Sequence, residues 1–274
     1  MVFKNIPLFA LMACAPLFAV AEGMVAPHPA LPKPAEVSVI NGWRAEDGSH
    51  MAAIHVRLAP EWKTYWRAPG DAGIPPSFDW SGSQNWGDVA FFWPAPEVFE
   101  TNGMTTFGHG GELILPMKIA PEYGDDIKLE GKLMMGVCRD ICMPFEAQVS
   151  AILTTRPFDA KRDAPITRAL ALRPDTREEA QVSQVSCEAT PIEDGMRITA
   201  RLEMPSLGAK EHIAFELAQG DVWLSEAMST RQGDTLAAYA DAVPTSGAPF
   251  DVDYSALRFT VISQGRAVDI QGCD

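Results

Sequence analysis

Short runs in which apolar and polar residues alternate one for one recur along the chain, and they restrict its fold more than any other feature. Ile54, Val56 and Leu58 alternate with His55 and Arg57. Met196, Ile198, Ala200 and Leu202 repeat the pattern, as do Ile213, Phe215 and Leu217, then Leu257, Phe259 and Val261. A period of two sends one set of side chains to one face of a strand and the rest to the other. Clusters of Gly, Pro, Asn and Asp separate the runs, a spacing that favours β-sandwiches over a β-α-β sheet. Between Asp159 and Ala180 the character changes to a charged, proline-bearing stretch with room for one short helix near Pro165. The expected fold is all-β: two sandwich domains, residues 36–157 and 181–274, joined by a short linker over 158–180.

The first 21 residues have the layout of a secretory signal peptide. Lys4 is followed by an apolar run from Ile6 to Val20 and by the small-residue exit Ala19-Val20-Ala21. Leu11-Met12-Ala13-Cys14 has some likeness to a lipoprotein signal, but Met12 is large and the apolar run continues past the cysteine. A proline-rich stretch, Ala26 to Ala35, then leads into the strands. No later stretch approaches the roughly 20 apolar residues needed to span a bilayer, so the expected product is a soluble, exported chain. Without the leader it carries 21 basic against 36 acidic residues, a formal charge of −15. That balance argues against nucleic acid and anionic lipid as partners, since both require a basic footprint.

Four cysteines remain, and an even number in an exported chain favours pairing. Their order suggests a local pair, Cys138 with Cys142, and a long-range pair, Cys187 with Cys273, closing a loop of about 87 residues. The long-range pair is expected to be structural. The local pair lies in the stretch MMGVCRDICMP, between two runs of matching phase: Ile127, Leu129, Leu133, Met135 and Val137, then Phe145, Ala147, Val149 and Leu153. These runs predict a hairpin whose connection carries the pair. If the phase persists, both cysteines face away from the core. No C-x-x-C beside a β-α-β pattern is present, which excludes a thioredoxin fold.

Three chemistries fit Cys138 and Cys142: thiol-disulfide exchange, a structural staple, or a soft-metal site. A ring this small restrains little chain, which weakens the staple reading. Met134, Met135 and Met143 are soft donors that with the two thiolates would suit Cu(I); the copper set expected is Cys138, Cys142 and Met143, and His109 is a further candidate ligand. Trp62, Tyr65, Trp66, Phe78 and Trp80 read as core aromatics around a Pro-Gly-Asp turn. The rival reading is a partner-docking loop made by Tyr65, Arg67 and Asp71.

The segments EWKTYWRAPGDAGIPPSFDW (Glu61 to Trp80) and GVCRDICMPFE (Gly136 to Glu146) together resemble the periplasmic amino-terminal portion of DsbD-like and ScsB-like thiol-disulfide interchange proteins. The resemblance implies immunoglobulin-like sandwiches and makes Cys138 and Cys142 the redox pair of a periplasmic protein disulfide oxidoreductase. It implies electron delivery from a membrane-embedded thiol reductase of the DsbD/CcdA type to periplasmic thioredoxin-like acceptors, and no cofactor. It also implies an aromatic cap over the disulfide, carried by TNGMTTFGHGGELILP, with Phe107 or Met104 in that place. A periplasmic Cu(I)-binding protein and a non-catalytic β-sandwich interaction module remain the alternatives.

Overall fold

The computed structural model describes residues 33–274 apart from Asn102. The leader 1–21 and most of the proline-rich stretch lie outside the described residues. The first half contains β1 (Ala35–Arg44), β2 (His50–Leu58), β3 (Lys63–Gly70), β4 (Ser77–Asp79), β5 (Val89–Phe91), β6 (Glu97–Thr101), β7 (Met104–Gly110), β8 (Glu112–Ile119), β9 (Ile127–Cys138) and β10 (Cys142–Leu153). They form two antiparallel sheets, ordered β1-β2-β8-β5 and β10-β9-β3-β7-β6, with β4 also pairing on β9. The inward residues are those the alternation selects: Ile54 and Val56, Leu113 and Leu115, and the set Ile127, Leu129, Leu133, Met135 and Val137, packed around Trp66.

The run His50 to Ile54 is buried on both faces, and the helix α1 (Ala164–Ala171) explains why. A proline stands at its start, and its Ile166 packs on Met51 and Ala53, the residues of β2 that face away from the sandwich. The charged stretch, expected to be a linker with room for one short helix, is thus fastened to the first sandwich. Asp163 just before the helix is fully buried, and Arg156 donates to both its carboxylate oxygens at 2.6 and 3.0 Å. A buried pair adds little net stability, but removing one partner strands the other charge and is costly.

The second half contains β11 (Asp175–Thr176), β12 (Gln184–Ile192), β13 (Gly195–Glu203), β14 (His212–Leu217), β15 (Val222–Leu224), β16 (Met228–Gln232), β17 (Thr235–Pro244), β18 (Leu257–Ser263) and β19 (Arg266–Gln271). Its sheets run β11-β19-β18-β14 and β12-β13-β17-β15, with β16 also on β17. Val185, Ile198, Ala200, Leu202, Phe259 and Val261 form the centre of its core. Cys187 on β12 is bonded to Cys273, with their α-carbons 6.0 Å apart. The all-β expectation holds, and Lys33–Asp274 packs as one unit. Ala214, Ile262 and Ala267 of the second half join the core cluster of the first. Among the described residues no helix is long and apolar enough to cross a membrane.

Candidate active site

The hairpin of β9 and β10 ends at the two cysteines. Cys138 is the last residue of β9 and Cys142 the first of β10, directly opposed in register, with Arg139, Asp140 and Ile141 making the connection. Opposed residues on antiparallel strands point to one face at close range. The α-carbons are 4.1 Å apart and the sulfurs are bonded. Because Leu133, Met135 and Val137 point into the core, the pleat turns Gly136 and Cys138 outward, away from it.

The two sulfurs nevertheless have different surroundings. β9 lies between β10 and β3, whereas β10 is the edge of its sheet. Cys138 is accordingly only 6% exposed, while Cys142 is open to solvent. The loop residue Ile141 is 77% exposed, and Met143 is exposed beside it. Arg139 bonds Asp140 at 2.9 Å and sits 5.7 Å from the centre of the Trp62 ring.

One side chain reaches the disulfide from the neighbouring strand. The Tyr65 hydroxyl donates to Cys142 Sγ at 3.0 Å. Its ring lies over Gly136: a β-carbon there would stand 2.6 Å from Tyr65 Cδ2 and 2.9 Å from Ile74 Cβ, so only glycine allows this approach. The Thr64 hydroxyl, pointing the other way from β3, donates to the Gly136 carbonyl at 2.8 Å and holds the two strands in register. Tyr65 is 2% exposed, and burial pushes its phenol above the ordinary value, so it remains an O–H donor. The sequence motif contained this residue, but its contact with a cysteine 77 positions away arises only from strand pairing.

The other predicted residues lie as follows. Phe107 is buried in the first-half core and meets His212 edge-on, with ring centres 6.2 Å apart. The row that crosses the sheet through Cys138 and Lys63 ends on β7 at Gly110. Phe107 is three residues from Gly110 and so on the opposite face; Met104 is six away, about 20 Å along the strand. Neither supplies the contact to the disulfide that was expected of this segment; Tyr65 does.

The expected docking loop is engaged within the molecule. Arg67 is 13% exposed and donates through Nε to both oxygens of Glu216 at 3.0 and 3.1 Å, with Thr260 Oγ1 at 3.1 Å and Asp269 at 3.4 Å. These are all residues of the second half, so Arg67 clamps the halves together. Asp71 accepts the backbone N–H of Thr105 at 2.7 Å. Of the soft donors, Met135 is in the core with its sulfur 3.5 Å from Thr64 Oγ1, and the pleat sends Met143, opposite Val137, to the face away from Cys142. His109 is buried on β7 with Nε2 unpaired, and burial lowers its pKa to about 4. Among the described residues no three His, Cys, Asp or Glu side chains gather as a metal site.

Comparison with known proteins gives a match to one family over part of the chain and a structural relative. Residues 30–154 match the family described as "Thiol:disulfide interchange protein DsbD, N-terminal". The N-terminal periplasmic domain of ScsB from Proteus mirabilis superposes with a TM-score of 0.65, at 25% identity, over 87% of this chain and 91% of that one. A marsupial T cell receptor aligns over 86% of this chain and 93% of that one at 9% identity, with a TM-score of only 0.17. No curated protein sequence matches the chain.

Proposed function

We propose, from the match of residues 30–154 to the family described as thiol:disulfide interchange protein DsbD, N-terminal, that Cys138 and Cys142 are an exchanging pair. The observation that carries this reading is the asymmetry of the disulfide: an exposed Cys142, whose sulfur accepts a hydrogen bond from Tyr65, is bonded to a Cys138 that is almost wholly buried.

In the dithiol form, the Cys142 thiolate attacks a disulfide sulfur of the partner, and the partner's other sulfur leaves as a thiolate. The product is a mixed disulfide between Cys142 and the partner. The Cys138 thiolate then attacks Cys142 Sγ, re-forming the intramolecular bond and releasing the partner's second sulfur. Two electrons pass from this chain to the partner, and the released thiolates take up protons from water. The Tyr65 hydroxyl favours the charged form of Cys142, because a donor hydrogen bond stabilises a thiolate more than a thiol. The exposed Ile141 of the connecting turn supplies an apolar contact next to Cys142.

The fitting acceptors are thioredoxin-like proteins and the fitting donor is a membrane-embedded thiol reductase of the DsbD/CcdA type. Likeness to a periplasmic domain of ScsB supports the periplasm as the compartment. The reading is tested by mixing the pre-reduced protein with an oxidised thioredoxin-like protein and counting thiols on each. Stoichiometric reduction of the acceptor is expected, and none with the Cys138→Ala/Cys142→Ala double variant. Equal transfer by that variant would contradict the assignment.

A further inference from the structure

Resolution of the mixed disulfide needs Cys138 as a thiolate, yet Cys138 is 6% exposed. Burial alone disfavours a charged sulfur. Lys63 of β3 is directly opposite Cys138 in register. Paired residues share a face with their β-carbons about 5 Å apart, and the next member of that row, Gly110, has no side chain. The Lys63 ammonium rests 4.6 Å from the centre of the Phe99 ring and 3.4 Å from Thr106 Oγ1.

Among the described residues Lys63 forms no ion pair, and the carboxylates of this region are otherwise engaged. Glu97 accepts the Gly110 N–H at 3.2 Å, Glu100 pairs with Lys210, and Asp140 pairs with Arg139. Glu61, two residues away, is exposed. Tyr65, on the same face, is held neutral by burial. Desolvation pushes the Lys63 ammonium below its ordinary pKa, as expected for a cation without a countercharge.

We propose that in the dithiol form the Lys63 side chain swings from Phe99 to Cys138 and becomes the charge partner of its thiolate. The flexible four-carbon stem of lysine makes that reach easy. The disulfide carries no charge, so the attraction exists only after reduction, when Cys138 must act. Cys142, open to water and bonded by Tyr65, depends on it much less. The step itself is unchanged: Cys138 loses its proton to water, attacks Cys142 Sγ, and the partner sulfur leaves with the bonding pair.

The inference rests on Cys142 attacking and Cys138 resolving, and one experiment separates the two. The reduced full chain is mixed with 5,5′-dithiobis(2-nitrobenzoate), and release of thionitrobenzoate is followed against pH. The first equivalent reports attack by Cys142, and the second reports resolution by Cys138. Lys63→Met, which keeps the apolar stem on Phe99, is expected to leave the first phase unchanged. It should raise the pH midpoint of the second by about one unit and slow it about tenfold at pH 7. Lys63→Arg is expected to restore both values, which a purely packing role for Lys63 would not produce. An unchanged second phase in Lys63→Met overturns the inference alone. Absence of two phases in the unsubstituted protein overturns the exchange reading and this inference with it.

Discussion

Cys142→Ala abolishes the mixed disulfide with an oxidised thioredoxin-like protein, and Cys138→Ala accumulates it: these are the expected results of trapping with the two single variants. The difference follows from exposure. Cys142 stands on the edge strand, open to solvent beside Ile141, whereas Cys138 is covered between β10 and β3. A partner sulfur can approach the first and not the second. Once the mixed disulfide forms, Cys138 resolves it as an intramolecular nucleophile. Such groups reach effective concentrations of about 10⁵ M when well oriented. Removing Cys138 forfeits that advantage, so the covalent complex should persist on non-reducing electrophoresis through quenching and separation. The reverse pattern, with Cys142→Ala as the variant that traps, would overturn the assignment of the attacking sulfur.

The second large effect concerns stability. Replacing Cys187 and Cys273 together with alanine is expected to lower the melting temperature by on the order of 10 °C. The bond spans 86 positions of sequence, and a cross-link closing a loop of that length restrains the unfolded chain by about 4 to 5 kcal/mol in the chain-entropy model. It also ties β12 to the end of the chain, where Asp274 accepts from Arg177 at 2.6 and 2.7 Å. The same model gives the four-residue separation of Cys138 and Cys142 about 2 kcal/mol. The Cys138→Ala/Cys142→Ala variant should therefore melt much closer to the unsubstituted protein. A pair of melting curves in which the two double variants lose equal stability would contradict this division of labour between the disulfides.

The fold was legible in the sequence wherever one face of a strand is buried and the other is not. The odd-numbered set from Ile127 to Val137 is the clearest case, and it also placed the cysteines on the outer face. The helix near Pro165 was legible from its proline and its length. That it fastens the linker to β2 was not, because Met51 and Ala53 merely extend an apolar run until Ile166 is seen on them.

The site was legible in its sulfurs and obscure in its surroundings. Tyr65 reaches Cys142 only because β3 pairs with β9 and Gly136 leaves room for the ring; no local pattern encodes that meeting. Arg67 alternates with Trp66 as any outward residue would, and its partners lie 149 to 202 positions ahead. Phe107 looked like a cap from its neighbourhood in the chain, but its parity relative to Gly110 sends it to the core. In each case the missing information was the register between distant strands.

The most direct test is the reduction potential of the Cys138–Cys142 bond, measured by thiol trapping in glutathione buffers with Cys187–Cys273 as the internal reference. A potential above roughly −300 mV is expected for this pair, with Cys187–Cys273 still oxidised in the same buffers. Two pairs that resist reduction together, both below that value, would contradict it and leave Cys138 and Cys142 as a structural staple.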